Sequence, residues 1–510
     1  MNNSNNNIGY FPQMPVCDKH FFTDLSADFS LPDYQPEIKR LLSTRISILP
    51  PSEYIGNGNA SLSGEVNYYI LYLGADNKLY STKLTDTYSF EVPFEFNSHC
   101  VDMDNVTIIP HFSSENINVR VLGPRKLNVK SKVKSRILAL TPMLHSALTT
   151  EMQMNSNIEK NISKVPILYA KNCQSEMESV SEYIPVENSG DEVRVIDVNS
   201  HISVSECNAA AGKIILKGDV VVKLLYCNDL ESELPITCIK KVPFSSTIEC
   251  EELESSFECS AKGHICDSEV QVSEQGINIE VSYILTVNAQ KNEEVPYLLD
   301  AYSTQNYSES KSTPISVLAP LKCGGGSLTQ NDIFKLDDIK MPADCKIIAA
   351  DARANVTELC SENGKMFFKG DCYYQITYWL DGEYSSIQAS APFRYELDCR
   401  VKNSDTPLRF SASTLPISVR TRVDDERLFV DCELIFDTFL QCENTVEILS
   451  EISFFEKLEK ARGEVILCYP EKDATLWEIG KHYNQALKKI RTQNGLSESD
   501  LLPKTKFLVI

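Results

Sequence analysis

The chain has 510 residues, 42% hydrophobic and 24% charged, with a formal net charge of −22. Its length suits roughly three or four domains with cores of their own, and its composition is that of a folded globular protein. The charge argues against nucleic acid as a partner of the main body, which would repel a polyanion, and no run of 18 or more apolar residues supplies an integral membrane segment.

The start, Met1 to Asn7, is a polar low-complexity run without the basic and apolar regions of a signal peptide, so residues 1–30 are expected to be a flexible segment of a protein that stays in the cytosol of the cell that makes it. Seventeen cysteines are an odd number with no Cys-x-x-Cys spacing, which points to reduced thiols rather than a disulfide framework. Several, such as Cys227, Cys372, Cys432 and Cys468, sit in strand-like runs where a thiol acts as a small apolar residue.

One pattern then recurs three times. Gly64-Glu65 with Tyr72, Gly218-Asp219 with Tyr226, and Gly370-Asp371 with Tyr378 share a glycine, an acid and a tyrosine eight residues after the glycine. Val92-Pro93-Phe94, Val242-Pro243-Phe244 and Ala391-Pro392-Phe393 follow as a second landmark, and alternating runs at Lys126–Lys130, Ile277–Val281 and Leu428–Cys432 as a third. Alternation of period two is that of a strand with one face on a core, and turn pairs such as Asn57-Gly58, Asp76-Asn77, Asp381-Gly382 and Asp424-Asp425 separate the runs. The expectation is three antiparallel β domains over residues 31–150, 184–305 and 335–450, joined by linkers at 151–183 and 306–334. Short helices are expected at Gln35–Leu42 and over Ser450–Arg462, the second serving as a connecting helix at 451–463.

No catalytic or metal set emerges. The seven histidines lack helical ligand spacing, His264 with Cys259 and Cys266 is irregular, and no phosphate-binding loop, dinucleotide fingerprint or serine elbow is present. Glu249 to Glu254 reads as a solvated charged edge and Cys323-Gly324-Gly325-Gly326 as linker. The expectation is a protein that is not an enzyme, with no cofactor and no metal.

The last segment, 464–510, reads as a miniature strand–helix–helix–strand module, in which residues 465–510 carry seven Lys or Arg against five Asp or Glu. Asp473 or Thr475 supplies an N-cap, Leu476, Ile479, Gly480 and Tyr483 form one apolar stripe, Leu487 and Ile490 a second, and Asn494-Gly495 a helix stop. Leu476, Ile479, Tyr483, Leu487 and Ile490 are therefore the expected core. Trp477, one residue past Leu476, is turned about 100° from the stripe and is the expected partner-binding anchor, with Val465 on the same rim.

This segment resembles the LysM domain, with Lys472 and Lys504 standing where the glycan-gripping loops usually have Gly and Pro-Gly. The whole layout resembles the SPOCS-domain, LysM-containing spore coat morphogenetic proteins of spore-forming Firmicutes. The resemblance implies a mostly β chain: three tandem β-rich SPOCS-like domains, antiparallel and sandwich-like, followed by a small βααβ LysM domain. It implies a non-enzymatic scaffold in the mother-cell cytoplasm at the forespore surface, docked through the LysM on the coat morphogenetic ATPase SpoIVA, with other coat proteins as further partners. The alternative is a LysM that holds N-acetylglucosamine glycan of peptidoglycan or cortex, against which the two lysines argue. A wall hydrolase is disfavoured by the missing catalytic set.

Overall fold

The computed structural model describes residues 9–56, 58–95, 105–145, 157–186, 193–228, 234–273, 276–321, 326–363, 365–398, 407–458, 465–471, 474–497 and 507–510. Most of these residues lie in antiparallel strands. The first unit comprises β1 (Gly9–Ser30), β2 (Ile38–Ile48), β3 (Ser52–Ile55), β4 (Asn59–Gly74), β5 (Leu79–Pro93), β6 (Thr107–Gly123) and β7 (Lys126–His145). In one sheet β4 is flanked by β5 on one side and by β2 and then β3 on the other; in the second, β7 is flanked by β1 and β6. Tyr68, Ile70 and Tyr72 of β4 bury against Leu127, Val129 and Val133 of β7, so the two sheets form a sandwich.

The plan recurs in β8 (Ile158–Gln174), β9 (Glu178–Pro185), β10 (Arg194–Ala210), β11 (Lys213–Cys227), β12 (Ile236–Glu249), β13 (Glu258–Ser273) and β14 (Gly276–Ser303). It recurs again in β15 (Asn306–Pro320), β16 (Gly326–Lys335), the single turn α1 (Leu336–Ile339), β17 (Lys346–Glu362), β18 (Lys365–Leu380), β19 (Glu383–Leu397), β20 (Leu408–Asp424) and β21 (Arg427–Lys457). Each unit has its own buried cluster. A small module follows, with β22 (Leu467–Cys468), α2 (Leu476–His482), α3 (Leu487–Asn494) and β23 (Leu508–Val509).

The repeated glycines have a steric cause. Gly64, Gly218 and Gly370 lie along the central strands β4, β11 and β18, opposite Tyr88, Phe244 and Phe393. A Cβ on Gly218 would sit 2.8 Å from the Phe244 ring, and one on Gly370 would sit 2.6 Å from the Phe393 ring. On the other flank, bulges after Val204 and Val356 push the carbonyls of Ser203 and Asn355 onto the same two glycines. The register also corrects the second landmark. Pro243 pairs with Asp219 and Pro392 with Asp371, but Pro93 pairs with Asn59, so the first-unit counterpart of Phe244 and Phe393 is Tyr88 rather than Phe94.

Where they are described, the segments expected to be flexible, linking or helical are mostly strands instead. Within 1–30, β1 pairs with β7 along its whole length, from Gly9 opposite His145 to Ser30 opposite Lys126, and buries Val16 and Leu25. Residues 151–183 contribute β8 and most of β9 to the second unit, and 306–334 contribute β15 and most of β16 to the third; in both, polar residues on the outer face conceal the alternation. The helix expected at Gln35–Leu42 is the start of β2, where bulges after Ile38 and Leu41 stretch a period of two into helix-like spacing. The helix expected over Ser450–Arg462 is, as far as Leu458, mostly the end of β21, which carries a bulge opposite Lys311 and Ser312. Cys173 and Cys250 form a disulfide, and Cys227, Cys372 and Cys432 are buried.

The three units close on one another as a ring. Leu42, Leu71 and Leu73 of the first, Ile196 and Leu225 of the second, and Ile348 and Tyr384 of the third share one apolar cluster. Equivalent positions make equivalent links: Ser81 donates to the Ile196 carbonyl at 2.7 Å and Thr237 to the Ile348 carbonyl at 3.5 Å. Gln375 completes the ring, donating to the Leu42 carbonyl at 2.6 Å.

Beside that cluster lies a polar network built from all three units. Arg45 donates to both carboxylate oxygens of Asp197, at 2.7 and 3.0 Å, and stands 3.6 Å from Asp351. Asp351 also accepts from Ser43 at 2.9 Å and from Asn199 at 3.3 Å. Removing the guanidinium leaves two half-enclosed carboxylates without their cation, so Arg45→Met is expected to destabilise the chain by about 3–5 kcal/mol, read as a lowered urea midpoint. Gly370→Ala, which drives a methyl into Phe393 and the Asn355 carbonyl, is expected to cost about 1–3 kcal/mol in the same assay.

Candidate docking site

The terminal module is organised by its caps. Thr475 is the N-cap of α2: its hydroxyl accepts from the Glu478 N–H at 3.2 Å and the Glu478 carboxylate accepts from the Thr475 N–H at 2.7 Å, a complete capping box. Gly495 ends α3 in the left-handed conformation at φ 63°. Asn494 ties that helix end to the last strand, accepting from the Val509 N–H and donating to its carbonyl, both at 2.7 Å. Ile479 and Ile490 form the core with Leu508 and Ile510, and Leu476 and Tyr483 pack against its margin. Leu487 lies against Gly480, where an added Cβ would be 2.6 Å from Cδ2 of Leu487. Lys472, Asp473, Pro503 and Lys504, the groove-loop positions, lie outside the described residues.

Trp477 is turned away from this core, onto the body of the same chain. Its indole N–H donates to Asp300 at 2.8 Å and its ring meets Tyr302 edge-on at 5.0 Å, both on the end of β14. Lys481, one turn on, donates to the two oxygens of Asp300 at 2.8 and 2.7 Å and to Ser310 of β15 at 2.9 Å. The Tyr302 hydroxyl donates to the Gln485 carbonyl at 2.7 Å. Asp300, Tyr302 and Ser310 thus form a clasp that sequence reading missed. They lie more than 160 residues from Trp477 and Lys481, and no local pattern announces them.

Val465 falls elsewhere. In the β22–β23 ribbon Leu467 opposes Val509 and Cys468 opposes Leu508, so one face carries Cys468, Leu508 and Ile510 into the core. The other face carries Val465, Leu467, Tyr469 and Phe507, each more than half exposed with the body in place. A two-stranded ribbon normally presents polar residues to water, and an outward apolar face marks an interaction surface.

A protein-family model described as SipL, SPOCS domain, matches residues 193–287, the stretch from the entry into β10 to the middle of β14. A SPOCS domain is therefore present in the chain. No curated protein and no solved structure matches it. A SPOCS domain suggests a sporulation-related coat protein. Among the described residues no helix is long and apolar enough to cross a membrane, and no group of three His, Cys, Asp or Glu side chains could hold a metal ion. His264 has both ring nitrogens engaged, with the Ile48 carbonyl and with Thr286, each at 3.1 Å.

Burial alone would raise the pKa of Asp300, but hydrogen bonds from Lys481, Trp477 and Ser310 outweigh it and hold the carboxyl below its ordinary value of 3.8. A carboxylate whose pKa is lowered by docking supports docking fully above its ordinary value and loses that support as the pH falls through the lowered one. Trp477 emission is accordingly expected to stay blue at neutral pH and to shift red below about pH 4, the carboxyl range. Asp300→Ala is expected to show the red-shifted emission already at pH 7.

Proposed function

We propose that the chain is a non-enzymatic scaffold of spore coat assembly, stationed at the forespore surface in the mother cell, whose terminal module is a LysM-type docking domain for the coat morphogenetic ATPase SpoIVA. The observation that carries the reading is the outward apolar face of the β22–β23 ribbon, with Val465, Leu467 and Phe507 exposed. Extended apolar side chains on a small rigid ribbon suit a protein surface, whereas a sugar chain calls for a groove with polar groups that fix its hydroxyls. Trp477 has a double part in this reading. It fastens the module to Asp300 and Tyr302, and it joins the partner contact only when that clasp is open.

Purified full-length chain is titrated with purified SpoIVA, and in parallel sedimented with insoluble peptidoglycan. Val465→Asp is expected to weaken SpoIVA binding by about 30-fold or more, the loss of a hot spot worth about 2 kcal/mol, while circular dichroism stays unchanged. Asp300→Ala, which frees Trp477, is expected to strengthen binding, and Trp477→Ala to remove that gain. Unchanged affinity in the folded Val465→Asp protein would dismiss the ribbon as the docking face. Sedimentation with peptidoglycan that chitin fragments reverse would replace the scaffold reading with the glycan one.

A further inference from the structure

The ring of three units does not close solidly. Next to the Arg45 network lies a cavity of about 1470 Å³, larger than most small-molecule sites. Its wall is built mainly from strands that end their sheets: β2, β10 and β17 from one sheet of each unit, β6, β13 and β20 from the other. Alternation decides what faces inward. Ile46, Ile202 and Ala354 are among the residues turned into the sandwich cores, so Ser47, His201 and Arg353, which occupy equivalent register positions in the three units, point to the cavity.

The lining is cationic in a chain that is strongly anionic. It carries seven Lys or Arg side chains against four Asp or Glu, while the whole protein has a net charge of −22. The acids are partly committed already: Asp351 to Arg45, Ser43 and Asn199, and Asp437 to Ser260. Of the cations, Arg45 is held by Asp197, and Lys223 donates to the Ala350 carbonyl at 3.0 Å. Arg353 lies over the Tyr373 ring at 5.2 Å and Lys262 feels the charge of Asp437, and neither forms an ion pair among the described residues. On the same wall Nε2 of His201 is buried without a hydrogen-bond partner. Enclosed cationic donors left without acceptors are costly, and an anion that takes several of them at once removes that cost.

We propose that the central cavity is a binding site for a small multivalent oxyanion bearing phosphate or carboxylate groups, held by Arg353 and Lys262. The site draws on more than one unit, so occupancy also ties the ring together. Thermal unfolding of the full chain is followed by scanning fluorimetry with inorganic pyrophosphate, with citrate, and with sodium chloride at equal ionic strength. One of the two oxyanions is expected to raise the midpoint saturably beyond the salt control, the arm that does so telling phosphate from carboxylate chemistry. The double variant K262Q/R353Q is expected to lose at least about tenfold in affinity, which is about 1.4 kcal/mol. Equilibrium dialysis of the unsubstituted chain is expected to find one anion per chain, and this measurement stands even if the double variant does not fold. Midpoints identical to the salt control, no retained anion in dialysis, or an undiminished effect in a folded double variant would each overturn the proposal.

Discussion

Everything in the body depends on three sandwiches agreeing on one centre, and the contact that enforces agreement is Arg45 between Asp197 and Asp351. Each partner comes from a different unit and from the equivalent edge strand, so no single unit can satisfy the network. Half-enclosed charges tolerate little misplacement, because a carboxylate that loses its cation there cannot fall back on full hydration. The neighbouring apolar cluster around Leu42, Ile196 and Ile348 supplies non-directional attraction, and the charged network supplies register. The strands that end the sheets turn toward the interior of the ring, which shields backbone groups that would otherwise recruit foreign strands.

The clasp at Asp300 is a lighter version of the same idea. It joins the terminal module to the body through one carboxylate with three hydrogen-bonding partners and one buried tyrosine, Tyr302. So few contacts give a junction able to hold an orientation and still yield to a competing surface. Orientation matters because the ribbon that carries Val465 is too short to form a face by itself; its presentation to a partner is fixed by what lies behind it.

The strand alternation and the triplicate glycine pattern made the antiparallel β character legible, because both are local: side-chain period in one case, a clash between a Cβ and the facing ring in the other. What escaped the reading escaped for equally physical reasons. Bulges in β2 disguised its period, polar outer faces disguised β8 and β15, and Phe94 stood where a landmark was sought although Tyr88 fills the place. At the candidate site, the angular offset of Trp477 showed that it leaves the core of its module but could not show that Tyr302 receives it. Val465 could be placed at the opening of the module's first strand, whereas Asp300 and Lys481 meet only through the tertiary fold.

Arg45, Asn199 and Asp351 occupy the same place in three copies of one plan. Three identical subunits around such a centre would be forced to present three arginines, or three aspartates, to one another, and like charges would drive the ring apart. Covalent linkage removes that restriction: once the copies share a polypeptide, each can take a different charge, and the centre becomes a lock with three different parts. The order of the copies along the chain is then fixed by chemistry, so that exchanging the second for the third would set Arg45 against the wrong neighbours.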